Sequence, residues 1–264
     1  MNDSEQETAP ERGAHYVQSL ARGLAVIRAF HADASQLTLS DVAKSTGLTR
    51  AAARRFLLTL ADLGYVRTDG KHFSLTPRVL DLGYAVLSSM TLPEVAQPHL
   101  ERLSGEVGES SSVSVLDGTD VVYVARFAVS RIMTVSITVG TRFPAYATSM
   151  GHVLLAGLDD DALESYLAEA SLKPLTSQTI TSPERLRAEL ALVHEQDWAI
   201  VDQELEEGLR SIAAPLRDRS GAVVAAVNVS THASRTSVDA LRGDMLPALL
   251  AACERIEKDL AAAG

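Results

Sequence analysis

The chain has 264 residues, 46% of them hydrophobic, and a net charge of -10, enough length for one large domain or two ordinary ones with real cores. No apolar run reaches 18 residues, and the start "MNDSEQETAPERG" is acidic and polar; a membrane span and a secretory leader are both excluded, and a soluble cytoplasmic protein is expected. The single cysteine, Cys253, rules out a disulfide framework or a thiol metal cluster.

Residues 1–14 are polar and aperiodic and read as a disordered tail. A winged helix-turn-helix is predicted over 15–76. In "VQSLARGLAVIRAF" the apolar Leu20, Leu24, Ile27 and Phe30 recur at helical spacing, with Arg22 and Arg28 off the stripe. Thr38 with Asp41 three positions on resembles a capping box; Val42 and Ala43 then face inward, and Gly47 supplies the left-handed dihedral of a tight turn. Thr49 is a good N-cap for the next helix, whose Ala53, Phe56, Leu57, Leu60 and Leu63 repeat every three or four residues up to Gly64. "YVRTDGKHFSLT" reads as a hairpin turning at Asp69 and Gly70. Pro77 opens a predicted linker helix over 77–90.

From 91 to 264 helix and strand signals alternate, as in an α+β domain. "PEVAQPHLERLSGEVG" is helical, with Pro98 expected to kink it or mark its first turn. Two strand-rich runs follow, "SSSVSVLDGTDVVYVARF" with a turn at Asp117 and Gly118, and "RIMTVSITVG". Helical spacing returns in "ATSMGHVLLAGL", "DDALESYLAEA" and "SPERLRAELALVHEQD"; "IAAPLRDRSGAVVAAVNVST" is another hairpin, and the chain closes with a helix.

The net charge conceals an asymmetry. From Arg12 to Arg78 ten Lys and Arg face four acids, whereas from Thr91 onward 14 face 25. Only the first half suits a polyanion. On a helix starting at Thr49, Arg50 and Arg54 share a face with the small Ala51 between them, and Arg55 adjoins. A helix entering the major groove needs that slim, arginine-edged start. Arg67 and Lys71 on the wing, with Arg22 and Lys44, are expected to meet phosphates.

"YVQSLARGLAVIRAF", "LTLSDVAKSTGLTRAAARRFLLTLADLGYV" and "FSLTPRVLDLGYAVLSS" resemble the IclR family of bacterial transcriptional regulators, most of all its PcaR, PcaU and PobR branch. "VGTRFPAYATSMGHVLLA" and "EEGLRSIAAPLRDRSGAVVAAVNVS" resemble its two C-terminal signatures, so the likeness runs from about Tyr16 to Leu260. It implies a GAF-like mixed α/β effector-binding domain over 91–264, with a ligand cavity on one sheet face. Carried over by position, the effector site is Ile132, Val135, Phe143, Ser149, Met150, Gly151, Ser211, Asn228 and Ser230. The branch implies an aromatic acid or ring-cleavage product such as protocatechuate, p-hydroxybenzoate or β-ketoadipate, and control of its catabolism. A homodimer on operator DNA is expected, and relatives pair dimers into tetramers.

Several residues of that site also have a local reading. Ser149, Met150 and Gly151 at a helix start would point N–H groups outward, an anion site without a basic side chain. Asn228 and Ser230 interrupt the buried-looking run "AVVAAVNVS", where a buried amide demands partners. Arg131 and Arg142 are candidates to pair with a carboxylate. Hydrolase, metalloprotease and nucleotide motifs are absent, the seven histidines lack metal-ligand spacing, and "VDQELEEG" reads as a solvated acidic loop. No cofactor, metal or enzymatic activity is expected. Two alternatives stay open: an enzyme or metabolite-binding protein whose winged helix makes only protein contacts, and a regulator sensing glyoxylate or sugar acids.

Overall fold

The computed structural model describes residues 16–31, 34–82, 91–129 and 137–263. It divides between Ser89 and Met90 into two compact units. The predicted tail lies outside the described residues, as does 83–90 of the predicted linker helix, whose beginning is a 3-10 turn at Pro77–Leu80.

The first unit holds α1 (Gln18–Arg28), β1 (Leu37–Thr38), α2 (Leu39–Thr46), α3 (Arg50–Asp62), β2 (Val66–Thr68) and β3 (His72–Leu75). A reciprocal cap starts α2: the Thr38 N–H donates to Asp41 Oδ2 at 2.9 Å, and the Asp41 N–H donates to Thr38 Oγ1 at 3.3 Å. Gly47 at φ 66° ends that helix. The Ala52 N–H then donates to Thr49 Oγ1 at 3.2 Å, fixing where α3 begins. Strand β3 lies between β1 and β2, antiparallel to both. At the wing tip the Asp69 carboxylate accepts the Lys71 and His72 N–H groups at 2.8 and 2.7 Å, which holds its pKa down at about 2.

The core of this unit includes Val26, Phe30, Val42, Ala53, Leu57, Leu60, Val66 and Phe73. The predicted stripe of α1 holds at Ile27 and Phe30 but not at its start: Leu20 and Leu24 are 63% and 49% exposed, while Val26 is fully buried. Leu63, expected inside, is 52% exposed.

The second unit contains α4 (Thr91–Val107), β4 (Ser110–Asp117), β5 (Asp120–Phe127), β6 (Arg142–Pro144), α5 (Ser149–Ala156), α6 (Asp160–Glu169), α7 (Pro183–Gln196), β7 (Ala199–Asp202), β8 (Leu209–Arg217), β9 (Val223–His232) and α8 (Leu246–Ala263). Its sheet runs β6-β5-β4-β9-β8-β7 with every pairing antiparallel. Alternation along the strands makes two cores. On one face Leu100 and Leu103 of α4 and Leu249 and Ile256 of α8 pack with Val113, Ile212, Val227 and Val229. Cys253 is buried in this layer, and desolvation pushes its thiol pKa up. On the opposite face Met150, Leu154 and Leu155 of α5 and Leu186 and Leu190 of α7 pack with Val121, Tyr123, Ala213 and Ala226.

Three expectations change here. Helix α4 begins at Thr91 and runs through Pro98, so Pro98 does not mark its first turn. The run "RIMTVSITVG" falls largely outside the described residues, its described end is not a strand, and β6 lies beside β5 instead. The acidic stretch read as a solvated loop begins inside β7 and buries Glu204, only 9% exposed.

Candidate functional site

Two surfaces carry chemistry, one in each unit. Along α3, Ala53, Leu57 and Leu60 are buried, while Arg50, Ala51, Arg54 and Arg55 are exposed. Among the described residues no carboxylate forms an ion pair with those three arginines. Thr49 is exposed at the helix start, its hydroxyl committed to the cap. Lys44 on α2, Arg22 on α1 and Lys71 in the wing turn are exposed as well; Arg67 is exposed and steadied by its Nε donating to Ser74 Oγ at 3.0 Å. The outer surface of this helix pair is thus cationic, with a slim alanine at its centre.

In the second unit one part of the α5 face of the sheet, beside its apolar core, is polar. Ser110, Ser112 and Ser114 of β4 are all buried. Ser112 stands opposite Asn228, and Ser110 opposite Ser230, which in turn stands opposite Ser211. Cross-strand partners share a face, so these side chains form one hydroxyl and amide surface. Beside it is a cavity of about 10 Å³, room for one water, bordered by Tyr123, Thr148, Ser149, Leu205, Ser211, Asn228 and Ser230 among others. Ser149 Oγ and Ser211 Oγ are 2.8 Å apart, and Asn228 Nδ2 donates to Ser230 Oγ at 3.0 Å. Asn228 Oδ1 is buried with no hydrogen-bond donor. A buried acceptor left so costs about 1–3 kcal/mol.

Of the nine residues expected at the effector site, Ser149, Ser211, Asn228 and Ser230 converge here. Ile132 and Val135 lie outside the described residues, as does Arg131. Phe143 sits behind Tyr123, edge to face at 5.8 Å between ring centroids. Met150 is fully buried in the core, its sulfur accepting from Ser114 Oγ at 3.2 Å. The helix start does not offer three free donors as expected, because the Gly151 N–H donates to Thr148 Oγ1 at 3.0 Å. Gly151 is required by packing instead: a Cβ there would lie 1.9 Å from the Ala145 carbonyl oxygen. Arg142 is engaged by Asp117 and Asp120 at 2.6 and 3.1 Å, at the hairpin end of the sheet. His152 is a core residue whose Nε2 meets the Tyr146 carbonyl at 2.7 Å; desolvation pushes its pKa down to about 4 and keeps it neutral.

Sequence reasoning missed Tyr123 and Arg126. Strict alternation would send them to opposite faces, yet β5 bulges: Ser112 pairs with Arg126, and Ser114 pairs with Tyr123. Because Ser112 and Ser114 share a face, so do Tyr123 and Arg126, while Val124 and Ala125 both turn to the opposite core. Among the described residues no group of three or more His, Cys, Asp or Glu is placed to hold a metal, and no helix is long and apolar enough to cross a membrane.

Comparison with known proteins covers both units. Residues 19–70 match the IclR helix-turn-helix domain, and residues 84–258 match the bacterial transcriptional regulator IclR C-terminal domain. The Pca regulon regulatory protein of Pseudomonas putida is 50% identical over 238 residues, covering 90% of this chain and 82% of that protein. A crystal structure from Rhodococcus sp. RHA1, of a protein described as a transcriptional regulator, superposes with TM-score 0.83 at 61% identity, covering 94% of this chain and all of that one. An IclR homolog from Microbacterium hydrocarbonoxydans, crystallised with 4-hydroxybenzoate, superposes with TM-score 0.81 at 27% identity over 92% of this chain and 99% of that one. The relatives are regulators, so the enzyme alternative falls, and the chain belongs to the IclR family of transcriptional regulators, with an N-terminal helix-turn-helix and a C-terminal α/β effector domain.

Proposed function

We propose that this regulator reads operator DNA through α3 and responds to a small aromatic acid held on the polar face of its second unit, controlling genes for catabolism of that acid. Arg50, Arg54 and Arg55 would reach guanines and phosphates, Ala51 would allow close approach, and Arg67, Lys71, Arg22 and Lys44 would neutralise backbone charge. Ser149, Ser211, Asn228 and Ser230 would hydrogen-bond the effector. Protocatechuate, p-hydroxybenzoate and β-ketoadipate are the candidates, in keeping with the Pca regulon relative and the 4-hydroxybenzoate-bound homolog. One helix-turn-helix covers too few base pairs to specify a genomic site, so a homodimer on two half-sites is part of the proposal, with pairing into tetramers as a further step. The cytoplasm is where such a protein would act.

The observation that carries the sensor assignment is the unpartnered Asn228 Oδ1 among buried serines. A core without a ligand would place apolar side chains there. With room for only one water, the closed cavity must enlarge as an aromatic ring enters. Mobility-shift titrations on the chain's own promoter fragments, with and without each candidate acid, test both halves together. The expected result is a specific shift whose midpoint moves with an aromatic acid; a midpoint that moves only with glyoxylate or sugar acids would transfer the protein to the other branch.

A further inference from the structure

We infer that Arg126 is the carboxylate anchor of the effector site, and that the acid lies across the sheet with its charged end on Arg126 and a hydroxyl on Asn228 Oδ1. This rests on the polar sheet face being the effector site.

The bulge in β5 places Arg126 on the same face as Tyr123 and directly opposite Ser112. Ser112 is in turn opposite Asn228. The three residues therefore form one row across adjacent strands, and Arg126 and Asn228 stand about 10 Å apart along it, two strand spacings. The arginine side chain extends over part of that span. Its Nη1 donates to Ser112 Oγ at 3.0 Å, which orients the guanidinium, and its Nε is buried with no acceptor.

No carboxylate among the described residues pairs with Arg126. The contrast with other arginines of the sheet is sharp. Arg142 has Asp117 and Asp120, and Arg210 has Asp202 at 2.7 Å. Desolvation lowers the pKa of Arg126, offset only by the neighbouring Tyr123 phenol. A half-buried guanidinium without an anion is unfavourable unless an anion arrives. The planar fork then offers two parallel donors, the geometry that a carboxylate accepts.

The far end of the row is complementary in the opposite sense. Asn228 Oδ1 lacks a donor, while its amide nitrogen donates to Ser230 Oγ. A hydroxyl supplies a donor; a second carboxylate would not. The site therefore suits a hydroxy acid with its two polar ends on opposite sides of an apolar body, more than a simple benzoate or a dicarboxylate.

Calorimetric titration of the full chain tests this with 4-hydroxybenzoate, protocatechuate, 4-hydroxybenzamide, benzoate, glyoxylate and a sugar acid. Arg126→Gln is expected to weaken binding of the hydroxy acid by about 10- to 100-fold, the range for a charge-assisted pair, while binding of the uncharged amide changes less than about threefold. Arg126→Lys should keep part of the preference for acid over amide. Asn228→Ala should erase the preference for 4-hydroxybenzoate over benzoate. Equal losses for acid and amide would make Arg126 merely structural and overturn the inference, as would unchanged acid affinity. If the wild type bound only glyoxylate or the sugar acid, and Arg126→Gln abolished that binding, the anchor would stand while the aromatic assignment fell.

Discussion

Gly151 illustrates how a single residue can be misread from sequence and corrected by packing. It looks like a donor at a helix start, yet any side chain there would collide with the Ala145 backbone, which cannot swing aside as a flexible side chain can. Gly151→Ala is expected to cost about 3 kcal/mol, the upper end for overpacking, read as a lower urea midpoint for the second unit. Two buried titrating groups make opposite contributions to pH dependence. Desolvation raises Glu204 to about 7, so its contribution is complete below the ordinary carboxylate pKa and is lost as pH climbs through 7. His152, pushed down to about 4, contributes fully above its ordinary value and loses that as pH falls toward 4. Glu204→Gln keeps the acceptor for the Ile180 N–H, 3.4 Å away, and removes the charge. Stability at pH 8 is expected to rise by about 1–2 kcal/mol after discounting for partial solvent screening, with little change at pH 5; urea melts of both proteins at the two pH values decide it.

Among the elements, α3 has the most direct prediction. Arg54→Ala should weaken operator binding by about tenfold or more and lower the salt dependence by about one counterion. Anisotropy titrations at several salt concentrations measure both, and an unchanged curve at moderate salt removes α3 from the interface. The boundaries of α2 and α3 were legible in the sequence because a cap is a local exchange: Thr38 with Asp41, Thr49 with Ala52, and Gly47 in the left-handed region. Orientation was less legible. In α1 the predicted stripe holds only at its C-terminal end: Phe30 is buried, Leu20 and Leu24 are exposed, and Val26 takes the inward place. The bulge in β5 is less visible still, since it exists only as a mismatch of register with β4. That is why Asn228 and Ser230 could be picked from their own strand while Arg126 could not. Strand β7 was hidden for a related reason: "AIVD" is short and adjoins acids that look solvated.

At the scale of the whole molecule, the two units have separate cores, one in the first and two in the second, and opposite charge balances, a division that fits a regulator meeting DNA with one unit and an effector with the other. An acid can change operator affinity only by favouring one arrangement of the chain, and linkage then makes the effect mutual. The factor by which saturating acid shifts the operator Kd should equal the factor by which operator shifts the acid Kd, about 5- to 150-fold. Calorimetry on free and DNA-bound protein measures the second factor, and anisotropy the first; unequal factors would place the acid on some other species. The lone cysteine offers one more route into these energetics. With Cys253 on the buried face of α8 and its thiol held protonated, a maleimide or disulfide reagent meets it only when that helical layer lifts. Labelling kinetics in native buffer therefore clock those rare openings without an engineered probe, and a bound effector that tightens the sensor should slow the clock.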